Sequence, residues 1–211
     1  MLTMSGSAVH AQSVRAQEMA SCLPGELATW ADGRDRPAAS GAVRLVYRHA
    51  GAPPWFDEAQ VLGAVQRAAL AWGACGVPAE VITETAAALN PASVAVVQWS
   101  EAQTRGNFAL ADLGQRRLSL SAAMFGLLAT RNPRHPAYET LQMAISHEMG
   151  HFFGLMAHSR RCVDVMSYYD NGQGELCHTR DGTSYKAVVE YRALLPTACD
   201  IARCRAANGL R

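Results

Sequence analysis

Residues 147–158, His147-Glu148-Met149-Gly150-His151-Phe152-Phe153-Gly154-Leu155-Met156-Ala157-His158, restrict this chain more than any other stretch. Leu141, Ala144 and Ile145 lead into them at helical spacing, which predicts a helix from about Ala137 to Phe153. Histidines four apart lie one above the other on a single helical face, close enough to grip one ion. Three histidines and a glutamate left unpaired on an otherwise apolar helix would cost stability, so a shared partner is the economical reading. Neutral imidazole is a preferred zinc ligand, and a catalytic zinc takes three protein ligands and keeps one position open. His147 and His151 supply two. Gly154 can take the left-handed conformation that ends a helix and turns the chain back. His158 is the nearest residue beyond that turn able to close the set, and Glu148, beside the first ligand, is placed to hold a metal-bound water.

These residues, with Met166 eight positions past His158, resemble the signature of the metzincin clan of zinc endopeptidases, H-E-x-x-H-x-x-G-x-x-H with a downstream Met-turn. One departure is plain: Ala157 stands at the usual third-ligand position, and the histidine comes one place later. The interval from His158-Ser159 to Met166 matches matrixin-like members, and Met166-Ser167-Tyr168 resembles the serralysin form of the turn. A one-residue insertion between Gly154 and His158 accounts for both. The resemblance implies one catalytic zinc held by His147, His151 and His158, with Glu148 as general base. It implies Met166 as an apolar floor under the metal and Tyr168 as a tyrosine that swings between metal and transition state. It implies an α+β, two-lobed zincin fold, in which a twisted, mostly parallel sheet and two long helices stand above a small irregular C-terminal lobe. By the same resemblance, Asn107 to Ala111 form the edge strand above the cleft, where an extended peptide adds as a further strand. Structural calcium is not indicated.

Two alternatives stay open at this point. One is a zinc peptidase of another clan, with a distant glutamate such as Glu175 as third ligand. That reading leaves Gly154, His158 and Met166 unexplained. The other is a zinc-bound but catalytically inactive binding module, against which the intact Glu148 argues.

With 211 residues, 49% hydrophobic, 18% charged and a formal charge of +1, the chain suits one domain with a sizeable core and no polyanionic partner. No apolar run is long enough to span a bilayer. The expected division is a leader or export-signal remnant over 1–20, with Val9-His10-Ala11 fitting signal-peptidase cleavage, and one metallopeptidase domain over 21–211. Its N-terminal lobe covers about 21–154 and its C-terminal lobe about 155–211. Six cysteines agree with a secreted or periplasmic protein. Local spacing suggests Cys162–Cys177 and Cys199–Cys204, leaving Cys22 with Cys75; Cys162 as a zinc thiolate, or Cys22 as a cap over the metal, are lesser readings. A monomer acting on protein or peptide substrates is expected, with no nucleic-acid partner.

Along the chain, 21–40 reads as irregular. Val43–Arg48 alternates as a strand, and Asp57 caps a helix from about Glu58 to Trp72. Val81–Thr85 reads as a short strand and Val94–Trp99 as a buried one. Gly106–Asp112 and Arg117–Ser121 read as two strands joined at Leu113-Gly114-Gln115. Thr183–Leu195 reads as a last helix with Glu190 and Arg192 on its solvated face, and the tail from Pro196 carries only its cysteines.

Overall fold

The structure, a computed structural model, describes residues 14–182 and 190–210. Strand β1, Val43–Arg48, alternates as its residues require. Val43, Leu45 and Tyr47 enter the main core, while Val46 packs with Ala87 and Val94 on the opposite face. Helix α1, Glu58–Gly73, begins where Asp57 Oδ1 accepts the Gln60 N–H, and it buries Val61, Val65, Ala68 and Trp72. Strand β2, Ala79–Val81, is followed by helix α2, Glu84–Leu89, so the strand expected over Val81–Thr85 stops early. Its physical reason is the Thr83 hydroxyl, which accepts the Ala86 N–H and turns the chain into a helix.

Strands β3, Val94–Trp99, and β4 and β5, Ala109–Asp112 and Arg117–Leu120, complete a five-stranded sheet in the order β2-β1-β3-β5-β4. A short helix α3, Glu101–Thr104, lies between β3 and β4. All neighbouring strands are parallel except β4, which runs antiparallel to β5 along the edge. The fold is therefore α+β with a mixed, mostly parallel sheet, as expected.

Helix α4, Ala122–Arg131, had no counterpart in the sequence reading; Ser121 caps it and only Phe125 is buried, too little apolar periodicity to stand out. Helix α5, Ala137–Phe152, carries the histidines. It packs along α1: Trp72 Nε1 donates to Ser146 O at 2.8 Å, and Gln142 Nε2 donates to Ala64 O at 3.0 Å. Beyond it the backbone is irregular until helix α6, Ala198–Ala207, which opens with a reciprocal capping box between Thr197 and Asp200.

The helix expected over Thr183–Leu195 lies outside the described residues for 183–189, and 190–195 are not helical. Of the expected leader, 1–13 fall outside the described residues, whereas 14–20 are helical and bury Glu18, which accepts from Tyr191 Oη and Arg180 N–H. Cys162–Cys177 forms as expected, but the other pairs are Cys22–Cys199 and Cys75–Cys204. Cys199 and Cys204 share helix α6, where side chains five apart point about 140° away from each other and cannot meet. With three disulfides and no free cysteine, the chain fits an oxidising, extracellular compartment. Among the described residues, no helix is long and apolar enough to cross a membrane.

Candidate metal centre

Helix α5 stops where its sequence says it should. Gly154 takes φ +98°, its N–H donates to His151 O, and the Leu155 N–H donates to Gly150 O, the paired bonds of a Schellman motif. No side chain fits there, since a Cβ on Gly154 would lie 1.9 Å from Arg36 O. The reversed chain brings His158 back to His147 and His151, and one ligand atom from each lies within 4.8 Å of the others.

The rings are held from behind. His147 Nδ1 donates to Val165 O at 2.7 Å and His151 Nδ1 to Leu155 O at 2.6 Å. His158 Nδ1 lies 2.6 Å from Asp32 Oδ2. Carbonyls only accept, so Nδ1 carries the proton and the Nε2 lone pairs are left to face one another. Burial holds His147 well below the ordinary imidazole range, reinforced by His151 and His158, and brings His151 down to about 4. Burial lowers His158 as well, against the pull of Asp32. These shifts favour the neutral form, the one that ligates metal, and buried His158 Nε2 has no hydrogen-bond partner. An orphaned acceptor in a trio of inward-facing imidazoles fits a tetrahedral N-ligated cation such as zinc.

Asp32 was missed by the sequence reading. Burial alone would raise its carboxyl, but the His158 backbone N–H and ring hold it below the usual carboxylate range. It belongs to an arm, Thr29 to Arg36, that runs along Gly154 to His158. Trp30 N–H donates to His158 O, Asp35 Oδ1 accepts the N–H groups of Met156 and Ala157, and Arg36 N–H donates to Gly154 O. Arg203 from α6 secures Asp35 with two 3.0 Å bonds and reaches Ala157 O. Ala157, next to His158, is thereby held at both its N–H and its carbonyl.

Glu148 is partly buried beside His151, its Oε2 3.9 Å from Nε2. That oxygen accepts the Ala111 N–H of edge strand β4 at 2.8 Å. Burial pushes its carboxyl up to about 7, opposed by the Ala111 bond and by Arg192. Met166 is fully buried under α5; a Cβ on Gly150 would lie 2.3 Å from its Sδ. Asp200 fixes the turn before it, accepting the N–H groups of Val165 and Met166. The T-x-x-D capping pattern of Thr197 and Asp200 was the available signal for α6.

Tyr168 is half exposed and stacks on His158, ring centroids 3.7 Å apart at 14°. It shares with Phe108, Leu110, Met143, Glu148 and Arg192 a cavity of about 210 Å³. Arg192 is not on a solvated helix face: its guanidinium is clamped by Glu190 and lies over the Tyr169 ring. Glu175 stands outside the trio, bonded to Asn171 and near Arg160. Asp164 is buried against Ser159 and Thr197. Cys162 and Cys22 are both in disulfides, so neither is a thiolate ligand or a cap, and the Cys22, Glu26 and Cys199 cluster offers no thiol.

No family model matches the chain, and no curated protein matches it. Ten solved chains do. One, in the GM1-bound form of the ECX AB5 holotoxin, is 14% identical with a TM-score of 0.47, over 90% of this chain and 92% of that one. A likeness that distant bears on neither activity nor ligand.

Proposed function

We propose that this chain is a zinc-dependent endopeptidase of metzincin type, with His147, His151 and His158 as metal ligands and Glu148 as general base. The observation that carries the reading is the arrangement of the three imidazoles, each fixed at Nδ1 by an acceptor and turned inward at Nε2, with Glu148 adjoining them.

Zinc bound there would acidify a coordinated water and polarise a scissile carbonyl. Glu148 takes a proton from the attacking water and passes it to the leaving nitrogen. Strand β4 ends the sheet beside the centre, and an extended peptide would add to the part of its edge that the Ala111 bond to Glu148 leaves open. Tyr168 is near enough to reach a substrate oxygen, since its ring already lies on His158. Val165, Leu155 and Asp32 hold the ligand rings in one tautomer.

The test is zinc content together with chelator-sensitive cleavage of denatured casein. One equivalent of zinc and hydrolysis that chelation abolishes and zinc restores support the reading. Zinc without hydrolysis leaves the inactive binding module, and no zinc sinks both.

A further inference from the structure

We propose that a second cavity, on the far side of the metal centre from Tyr168, is a specificity pocket for a glutamate side chain of the substrate. This rests on the endopeptidase reading. The cavity, about 210 Å³, has His151 of the centre in its lining and opens beside Leu113 and Gly114, which follow the C-terminal end of β4. The cavity at Tyr168 adjoins the N-terminal end of the same strand, from Asn107 to Leu110. A peptide laid along β4 therefore passes one cavity on each side of its scissile bond.

The wall chemistry selects the occupant. Val43, Ala95 and Phe152 give apolar sides suited to a side-chain stem. Arg36, Arg44 and Arg116 supply cations, and no acidic residue lines the space. Arg44 is neutralised by Glu80 at 2.7 Å. Among the described residues, Arg36 and Arg116 form no ion pair, which leaves two guanidinium groups for a carboxylate. Asp112, in the neighbouring turn, is engaged by the Gln115 N–H at 2.9 Å. Methylenes ending in a carboxylate match apolar walls closed by arginines, whereas a basic side chain would meet like charge. Antiparallel pairing, the more stable arrangement, sets the C-terminal end of β4 against the N-terminal side of the scissile bond.

The experiment is a zinc-supplemented cleavage assay on peptides that differ only by Glu, Gln or Lys at each position flanking the bond. Wild type should prefer Glu over Gln by about tenfold in kcat/KM on the N-terminal side, the scale of one charge-assisted hydrogen bond. The double variant Arg36→Glu, Arg116→Glu should invert the preference towards Lys, while Arg36→Gln, Arg116→Gln should abolish it. No charge preference, preference confined to the C-terminal side, or an unchanged preference after reversal would overturn the proposal. Fluorescence anisotropy of the same peptides on the Glu148→Gln protein reads the pocket without turnover. Glu-selective binding lost on charge reversal supports the pocket even if hydrolysis is absent, and unselective binding overturns it. Absence of cleavage by wild type with restored zinc counts instead against the endopeptidase reading.

Discussion

His158 and Asp32 meet twice across 126 positions of sequence: Asp32 Oδ1 accepts the His158 backbone N–H at 2.9 Å, and Oδ2 lies 2.6 Å from its Nδ1. One carboxylate thus sets where the third imidazole stands and which of its nitrogens is free. Asp32→Ala should weaken zinc binding by about 10- to 100-fold, the usual cost of losing a ligand's outer partner. Asp32→Asn, which keeps an acceptor for the ring, should lose less. Competition with a fluorescent chelator measures both, and unchanged affinity in the alanine variant would remove Asp32 from the centre.

Glu148→Gln preserves the shape of the side chain and removes its capacity to carry a proton. It should keep one equivalent of zinc while kcat falls about 100- to 10,000-fold, the contribution expected of a positioned general base. Turnover at the wild-type rate would show that another group moves the proton.

Two glycines with positive φ separate strain from crowding. Gly25 has φ +87° and open space around it, whereas Gly154 has φ +98° and Arg36 O in the way. Gly25→Ala should cost about 1 kcal/mol, from left-handed backbone alone. Gly154→Ala should cost more than about 2 kcal/mol, because the arm or the turn must also move. Urea unfolding of the two variants checks the order, and equal costs would mean that the arm yields freely.

Asp164 is pushed well above the usual carboxylate range by burial and by neighbouring Asp200, against Arg161, Ser159 and Thr197. An acid whose folded pKa is raised stabilises fully below its unfolded pKa of about 4 and loses that contribution as pH rises through the raised folded value. Comparing metal-free wild type with Asp164→Asn between pH 4 and 8 reads the Asp164–Asp200 pair, since the lowered histidines, which destabilise on acidification, are common to both. The gap in stability should shift against wild type by up to a few kcal/mol as pH rises. A pH-independent gap would mean that Asp164 is ionised in the folded protein throughout.

Local chemistry was legible wherever neighbours in sequence are neighbours in space. Asp57 capped its helix, β1 alternated, and Gly154 ended α5 because each effect acts within one turn or one pleat. The histidine trio was legible for the same reason: its residues span one helix and the turn beyond. Asp32, Asp35 and Arg203 were not, because they come from distant segments and carry no period or spacing. Proximity also misled the cysteine pairing, which favoured the closest partners and overlooked a helix between Cys199 and Cys204. Arg192 looked solvated in a helical pattern, and only the fold turned it towards the cleft.

Helix α6 supplies Cys199 to hold Cys22 upstream of the arm, Asp200 to brace the Met166 turn and Arg203 to hold Asp35. A growing polypeptide emerges amino end first, so these supports leave the ribosome after all three histidines. During biosynthesis the Asp32 arm lacks its α6 brace until residues 198–204 have arrived, and a chain interrupted before them would carry all three histidines without the support that steadies the last one.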